Sequence, residues 1–234
     1  MQSTPSKLSM AQSVMVNEFI RSVYNWMALG LALTGFIAFY VAQNESLMNL
    51  IYGNMLIFYG IIIAEFVLVF KLAARVHTMS ASTASGLFIL YAALNGVTLS
   101  FIFLVYTGSS IASTFLVCAT TFAVSSLFGM ITKRDLTSLG GFLMMGLIGI
   151  IIASVVNMFL QSSGMSIIIS YVGVLVFVGL TAYDTQKLKE MAISQPHDLD
   201  PSVVRKGAIR GALSLYLDFI NLFLMLLRLL GDRD

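Results

Sequence analysis

Residues 22–44, 46–64, 76–132 and 136–183 contain no Asp, Glu, Lys or Arg. A bilayer core is about 30 Å thick, and a helix rising about 1.5 Å per residue needs about 20 apolar residues to cross it. The first two runs each suffice for one crossing and the longer two for two crossings each. A last apolar stretch, 208–230, contains Arg210, Asp218 and Arg228. The runs are continuously apolar rather than alternating, which argues against membrane strands.

Composition agrees. Of 234 residues, 10% are charged and 58% hydrophobic; mean hydropathy is +0.92. A soluble domain carries about 25% charged residues, so a soluble enzyme or a nucleic-acid binder is excluded. Cys118 is the single cysteine, which rules out an intrachain disulfide and a Cys-based metal site. His77 and His197 sit beside charged or Pro-containing segments. A buried histidine zinc or catalytic site is therefore not expected.

Turn-forming residues cut the long runs. Tyr106-Thr107-Gly108-Ser109-Ser110 divides one and Gln161-Ser162-Ser163-Gly164 the other. Seven spans result, at 22–43, 50–70, 83–105, 110–131, 138–160, 166–187 and 208–230. The expected fold is an all-α integral membrane protein with one domain over 22–230, an N-terminal arm over 1–21 and a short tail over 231–234. Met1 to Phe19 is polar and lacks the apolar core of a cleaved signal peptide. The excursion 188–207, with Pro196 and Pro201, reads as a loop.

Orientation follows from Lys and Arg in short loops. Eleven of the 13 fall on one side, from Lys7 and Arg21 through Lys71, Arg75, Lys133 and Arg134 to Lys187, Lys189, Arg205, Lys206 and Arg210. The loops 44–49, 106–109 and 161–165 have none. This predicts a cytoplasmic N-terminus and an outside C-terminus. Arg228 and Arg233 dissent and leave room for a re-entrant last segment.

Ionisable groups inside a span are costly and mark function or paired burial. Three carboxylates qualify: Glu65, Asp184 and Asp218. Gly211, Ser214, Asp218, Asn221, Met225 and Arg228 follow steps of three and four, one helical stripe. That stripe must face protein or water. It suits either an interhelical hydrogen-bond seam or an ion or proton path. Asp184, in Thr181-Ala182-Tyr183-Asp184-Thr185-Gln186-Lys187, reads alone as an interfacial acid balanced by Lys187 and Lys189. If it meets Asp218, the two cannot both ionise cheaply and titrate as a unit. With a shared proton they hold two helices together; without it they repel or bind a cation. Counted from the expected span ends, Asp218 lies deeper than Asp184, so contact needs a lower start to span seven, a tilt or a water-filled vestibule. Glu65 reads either as a buried protonated carboxyl or as a ligand on the same path. Lys71 or Arg75 could neutralise a carboxylate, Arg better because its fork pairs bidentately. Asn95, Thr98, Ser100 and Asn157 read as interhelical glue, and Gly146, Gly149 and Ala153 as points of close helix approach.

The segments Ser214-Leu215-Tyr216-Leu217-Asp218-Phe219-Ile220-Asn221-Leu222-Phe223 and Gly179-Leu180-Thr181-Ala182-Tyr183-Asp184-Thr185-Gln186 resemble the Bax inhibitor-1 family of transmembrane BAX-inhibitor-motif proteins. The turn Lys133-Arg134-Asp135-Leu136 and the opening Val23-Tyr24-Asn25-Trp26-Met27-Ala28-Leu29-Gly30 fit its bacterial branch. The resemblance implies seven helices with the last one central, and a pH-sensitive calcium leak. It implies that Asp184 and Asp218 form the pH-sensing pair, that Glu65 lies on the path and that Arg75 acts as a latch. Calcium would be cargo touching Asp184 and Asp218 transiently, with no tightly bound cofactor. Some bacterial relatives are associated with restraint of a membrane-bound ATP-dependent protease, and eukaryotic ones with suppression of cell death.

Three functions compete. A cation leak uses the aspartate pair. An intramembrane aspartyl protease would use two such acids to activate water, but Asp218 lacks the Gly-x-Gly-Asp context and no Pro-Ala-Leu element follows. A regulator would act on a membrane-bound protease without transport. The expectation is a non-enzymatic leak in a bacterial inner membrane, with the bilayer and calcium as partners, a protease as the alternative partner and no nucleic acid.

Overall fold

The structure, a computed structural model, describes residues 10–194 and 200–233. Lys7, Pro196 and His197 lie outside the described residues. The helices are α1 (Met10–Ala42), α2 (Glu45–Tyr52), α3 (Met55–Arg75), α4 (Ala81–Leu99), α5 (Ile102–Val105), α6 (Gly108–Ile131), α7 (Thr137–Leu160), α8 (Ser163–Ser194) and α9 (Pro201–Leu230). Among the described residues seven helices are long and apolar enough to span a membrane. This is the expected all-α architecture.

Helix α9 occupies the centre. It packs against α1, α4, α6 and α8, while α3 leans chiefly on α4, and α7 chiefly on α8. Tyr216, Leu215 and Leu222 of α9 are fully buried. The outer helices turn Phe36, Leu56, Phe142 and Leu175 outward, as faces that meet acyl chains do.

The elements differ from the sequence-based spans in four places, the first being the expected loop 44–49 and start of span two, where α2 (Glu45–Tyr52) is a separate helix and α3 begins only at Met55. Helix α1 runs through residue 21, where the arm was expected to end. Val16, Phe19, Val23 and Met27 are buried at steps of three and four, so the arm's own apolar stripe carries the helix down the bundle. The excursion 188–207 is mostly helix. Helix α8 continues to Ser194, and Asp200 caps α9, its Oδ1 accepting from the Ser202 N–H at 2.7 Å, with Pro201 at the first position. The third span is broken at Ser100–Phe101 into α4 and α5. The Ser100 hydroxyl donates to Val97 O at 2.7 Å, and the Tyr52 hydroxyl lies 3.1 and 3.0 Å from the carbonyls of Val97 and Thr98. Side chains thus satisfy carbonyls that the break releases inside the membrane.

The chain end resolves the re-entrant alternative. Helix α9 is continuous over Pro201–Leu230. Beyond it, Asp232 O accepts from the Thr107 N–H at 3.1 Å and the Asp232 N–H donates to Ser110 Oγ at 2.8 Å. The tail therefore docks on the turn between α5 and α6, and the last helix crosses the whole bundle.

Close approaches are set by glycines. A Cβ on Gly129 would run into the Ala182 carbonyl oxygen, and one on Gly96 would meet Thr34 O at 2.7 Å. These backbone contacts bring α6 onto α8 and α4 onto α1. Gly146 faces Val176 at 3.0 Å, but Gly149 has nothing within 4 Å, so it is not the close-packing position its spacing suggests.

Candidate functional site

A cavity of about 650 Å³ lies between α3, α7, α8 and α9, and Glu65, Asp184 and Asp218 all line it. The stripe on α9 supplies Ser214, Asp218 and Asn221, one turn apart. Gly211 and Met225 of the same stripe serve packing, Gly211 under Leu188 and Met225 against Gly173.

Asp218 is 5% exposed. Its Oδ2 is buried with no hydrogen-bond partner, and the Asp184 carboxyl is near enough to act on it electrostatically. Asp184 is half-buried; the Ser214 hydroxyl and the Lys187 ammonium lie beside it. Ser214 precedes Asp218 by one turn, about 6 Å of rise, so Asp184 sits one turn below Asp218. The predicted depth mismatch is met by this one-turn offset inside a shared cavity.

Glu65 enters from α3. Its Oε1 accepts from the Thr98 hydroxyl at 2.8 Å, which ties α3 to α4. Asn221 Nδ2 donates to Leu217 O at 2.8 Å. Arg75 is exposed at the end of α3 and does not line the cavity. The chain there turns into Val76–Thr78, which α9 holds: Lys206 Nζ donates to His77 O at 3.0 Å and Arg210 Nη1 to His77 Nε2 at 2.8 Å. The cation lining the cavity is Lys187. Among the described residues no three His, Cys, Asp or Glu side chains gather closely enough to hold a metal ion.

Two polar seams fix the helices that carry the acids. Tyr24 Oη meets Ser126 Oγ, and the Thr185 hydroxyl donates to Ser126 Oγ at 3.2 Å, joining α1, α6 and α8 next to Asp184. Thr34 Oγ1 donates to Ala92 O at 2.8 Å and is 2.7 Å from Tyr216 Oη, joining α1, α4 and α9 two residues before Asp218. Gln186 holds the α6–α7 turn, accepting from the Leu136 N–H and donating to Arg134 O, each at 2.8 Å. The sequence reading missed Tyr91, which lines the cavity. Its signal was available: Tyr91, Asn95 and Thr98 follow steps of four and three on one face of α4.

The profile of the family described as "Inhibitor of apoptosis-promoting Bax1" matches residues 16–234. The chain is 53% identical to the inner membrane protein YbhL of Escherichia coli (strain K12), over 92% of each chain. It is 44% identical to an uncharacterized protein of Borreliella burgdorferi over 93% of each. With an uncharacterized protein of Rickettsia prowazekii it shares 45% identity over 93% of this chain and 91% of that one. A profile covering nearly the whole sequence, full-length relatives in bacteria and a seven-helix bundle around an acid-bearing last helix agree: the chain belongs to the Bax inhibitor-1 family.

Proposed function

We propose that this protein is a pH-sensitive cation leak, with calcium as its cargo, of a bacterial inner membrane. The observation that carries the reading is the shared cavity of Asp184, Asp218 and Glu65, beside which a buried Asp218 oxygen has no hydrogen-bond partner. Carboxylates from adjoining helices that interact electrostatically take up and release protons as a pair. The proton count then sets both the cavity's attraction for cations and the repulsion between α8 and α9. A leak needs binding weak enough to release its ion. The absence of a three-ligand cluster among the described residues suits passage rather than storage, since stable calcium sites use six to eight oxygens. Lys187, beside Asp184, is the better candidate than Arg75 for a competing internal cation. The YbhL relative is named as an inner membrane protein, which supports the location. The excess of Lys and Arg on the N-terminal side supports a cytoplasmic N-terminus.

The test is calcium flux into proteoliposomes holding the purified protein, from pH 5 to 8. Flux should depend on pH in the wild type. Asp218→Asn should lower it at least about tenfold, because a charged oxygen contact worth about 1.5 kcal/mol or more is lost. No flux at any pH, with stoichiometric capture of a membrane protease, would replace the leak by the regulatory reading.

A further inference from the structure

The walls of the acidic cavity are unlike its floor. Phe66 and Phe70 of α3 and Met144 and Ile151 of α7 line it, yet these four side chains are 58%, 68%, 48% and 54% exposed on the outside of the bundle. Phe66 and Ile151 lie near the midpoints of the spans Met55–Thr78 and Thr137–Leu160. At that height the surroundings of the bundle are acyl chains. Helices α3 and α7 rest chiefly on different partners, α4 and α8. The gap between them is a sideways mouth with apolar lips.

The floor carries three carboxylates, Glu65, Asp184 and Asp218, against one ammonium, Lys187. Asp218 adds a partnerless buried oxygen, in a side chain only 5% exposed. A ligand complementary to both parts brings hydrogen-bond donors and positive charge at one end and an alkyl chain at the other. A primary ammonium offers three donors and no acceptor. Unlike calcium it does not require six oxygens. A phosphate or carboxylate head group would face three acids. The volume, about 650 Å³, is within the 300–1,000 Å³ range of small-molecule sites.

We infer that this cavity binds membrane-dissolved long-chain primary amines, which enter from the lipid between α3 and α7 and set their ammonium on Asp218 and its neighbouring carboxylates. The inference uses the cavity described above but does not need transport through it. Binding is therefore measured directly.

The probe is radiolabelled dodecylamine, equilibrated at pH 7.5 with the full chain in phosphatidylcholine nanodiscs and read by scintillation proximity against empty nanodiscs. Saturable one-site binding is expected, competed by unlabelled dodecylamine but at least tenfold less well by dodecanol, dodecanoate or butylamine. Asp218→Asn should weaken it at least tenfold, and Ile151→Trp at the lip should weaken or slow it. Should Asp218→Asn fail to fold, Glu65→Gln is the second carboxylate variant, and the amine-against-alcohol comparison on the unchanged chain decides by itself. The inference is overturned by no saturable binding, by equal competition from dodecanol, or by binding indifferent to the carboxylate variants. Equal competition by butylamine would overturn lateral entry by showing an aqueous route. Binding without calcium flux refutes the leak and keeps the amine site; flux without binding does the reverse.

Discussion

Asp135 and Asp200 stand outside the spans and show how the protein handles an exposed acid. The side chain and backbone N–H of Thr137 hold Asp135 below the usual carboxylate range, and those of Ser202 do the same for Asp200. A depressed value in the folded state means the stabilisation is complete above the ordinary aspartate value of about 3.9 and is lost as pH falls through the folded value. Asp200→Ala should therefore lower the thermal midpoint by the same amount at pH 5 and pH 8, with the difference shrinking only below about pH 4. Thermal unfolding in detergent micelles measures this. A difference that changed between pH 5 and 8 would contradict the cap assignment. The Asp200 cap and the Asp135 hydrogen bonds are thus constant over the range in which the buried acids are to be tested. Asp184, Asp218 and Glu65 were legible as residues because charge is so rare in the spans. Arg75 was expected as the latch from its bidentate fork and from the family resemblance, and neither shows that the chain turns at Val76 and keeps Arg75 off the cavity that Lys187 lines.

At the scale of elements, apolar runs gave the number and order of spans, since the bilayer allows few alternatives to a helix in each. They could not give the break between α4 and α5. No Gly or Pro marks it. At the break stands Tyr52, whose hydroxyl reaches Val97 O, Thr98 O and Ser100 Oγ, the last at 3.0 Å, from some 45 residues away in the chain. Tyr52→Phe should destabilise the protein by about 1 kcal/mol, the net worth of one hydroxyl hydrogen bond to the released carbonyls, since Val97 O keeps the Ser100 hydroxyl. Thermal or denaturant unfolding against wild type checks this; an unchanged stability would mean that the break needs no such donor. Helix lengths were underestimated where amphipathic turns continue past the apolar run, as in α1 before residue 22 and at the facing ends of α8 and α9.

For the whole molecule, the described start of α1 and the residues just past α9 lie at opposite ends of the bundle, Val23 beside Gly211 and Asp232 on Thr107 and Ser110, and the only cysteine is fully buried. Single cysteines placed at Arg233 and at Gln161 should react with a membrane-impermeant maleimide from the same side, and one at Lys133 from the other, in intact cells against inverted vesicles. Labelling of Arg233→Cys together with Lys133→Cys would contradict the full crossing. On the proposed reading α8 and α9 act as one proton-linked unit, since Asp184 and Asp218 line the same cavity between α3, α7, α8 and α9. Calcium flux across pH 5–8 with Asp184→Asn, Asp218→Asn and the double replacement tests that unit most directly. Groups that act together are not additive, so either single change should flatten the pH dependence and the double should lose little more. Single effects that multiply in the double variant, or a pH dependence that survives it, would contradict the pair.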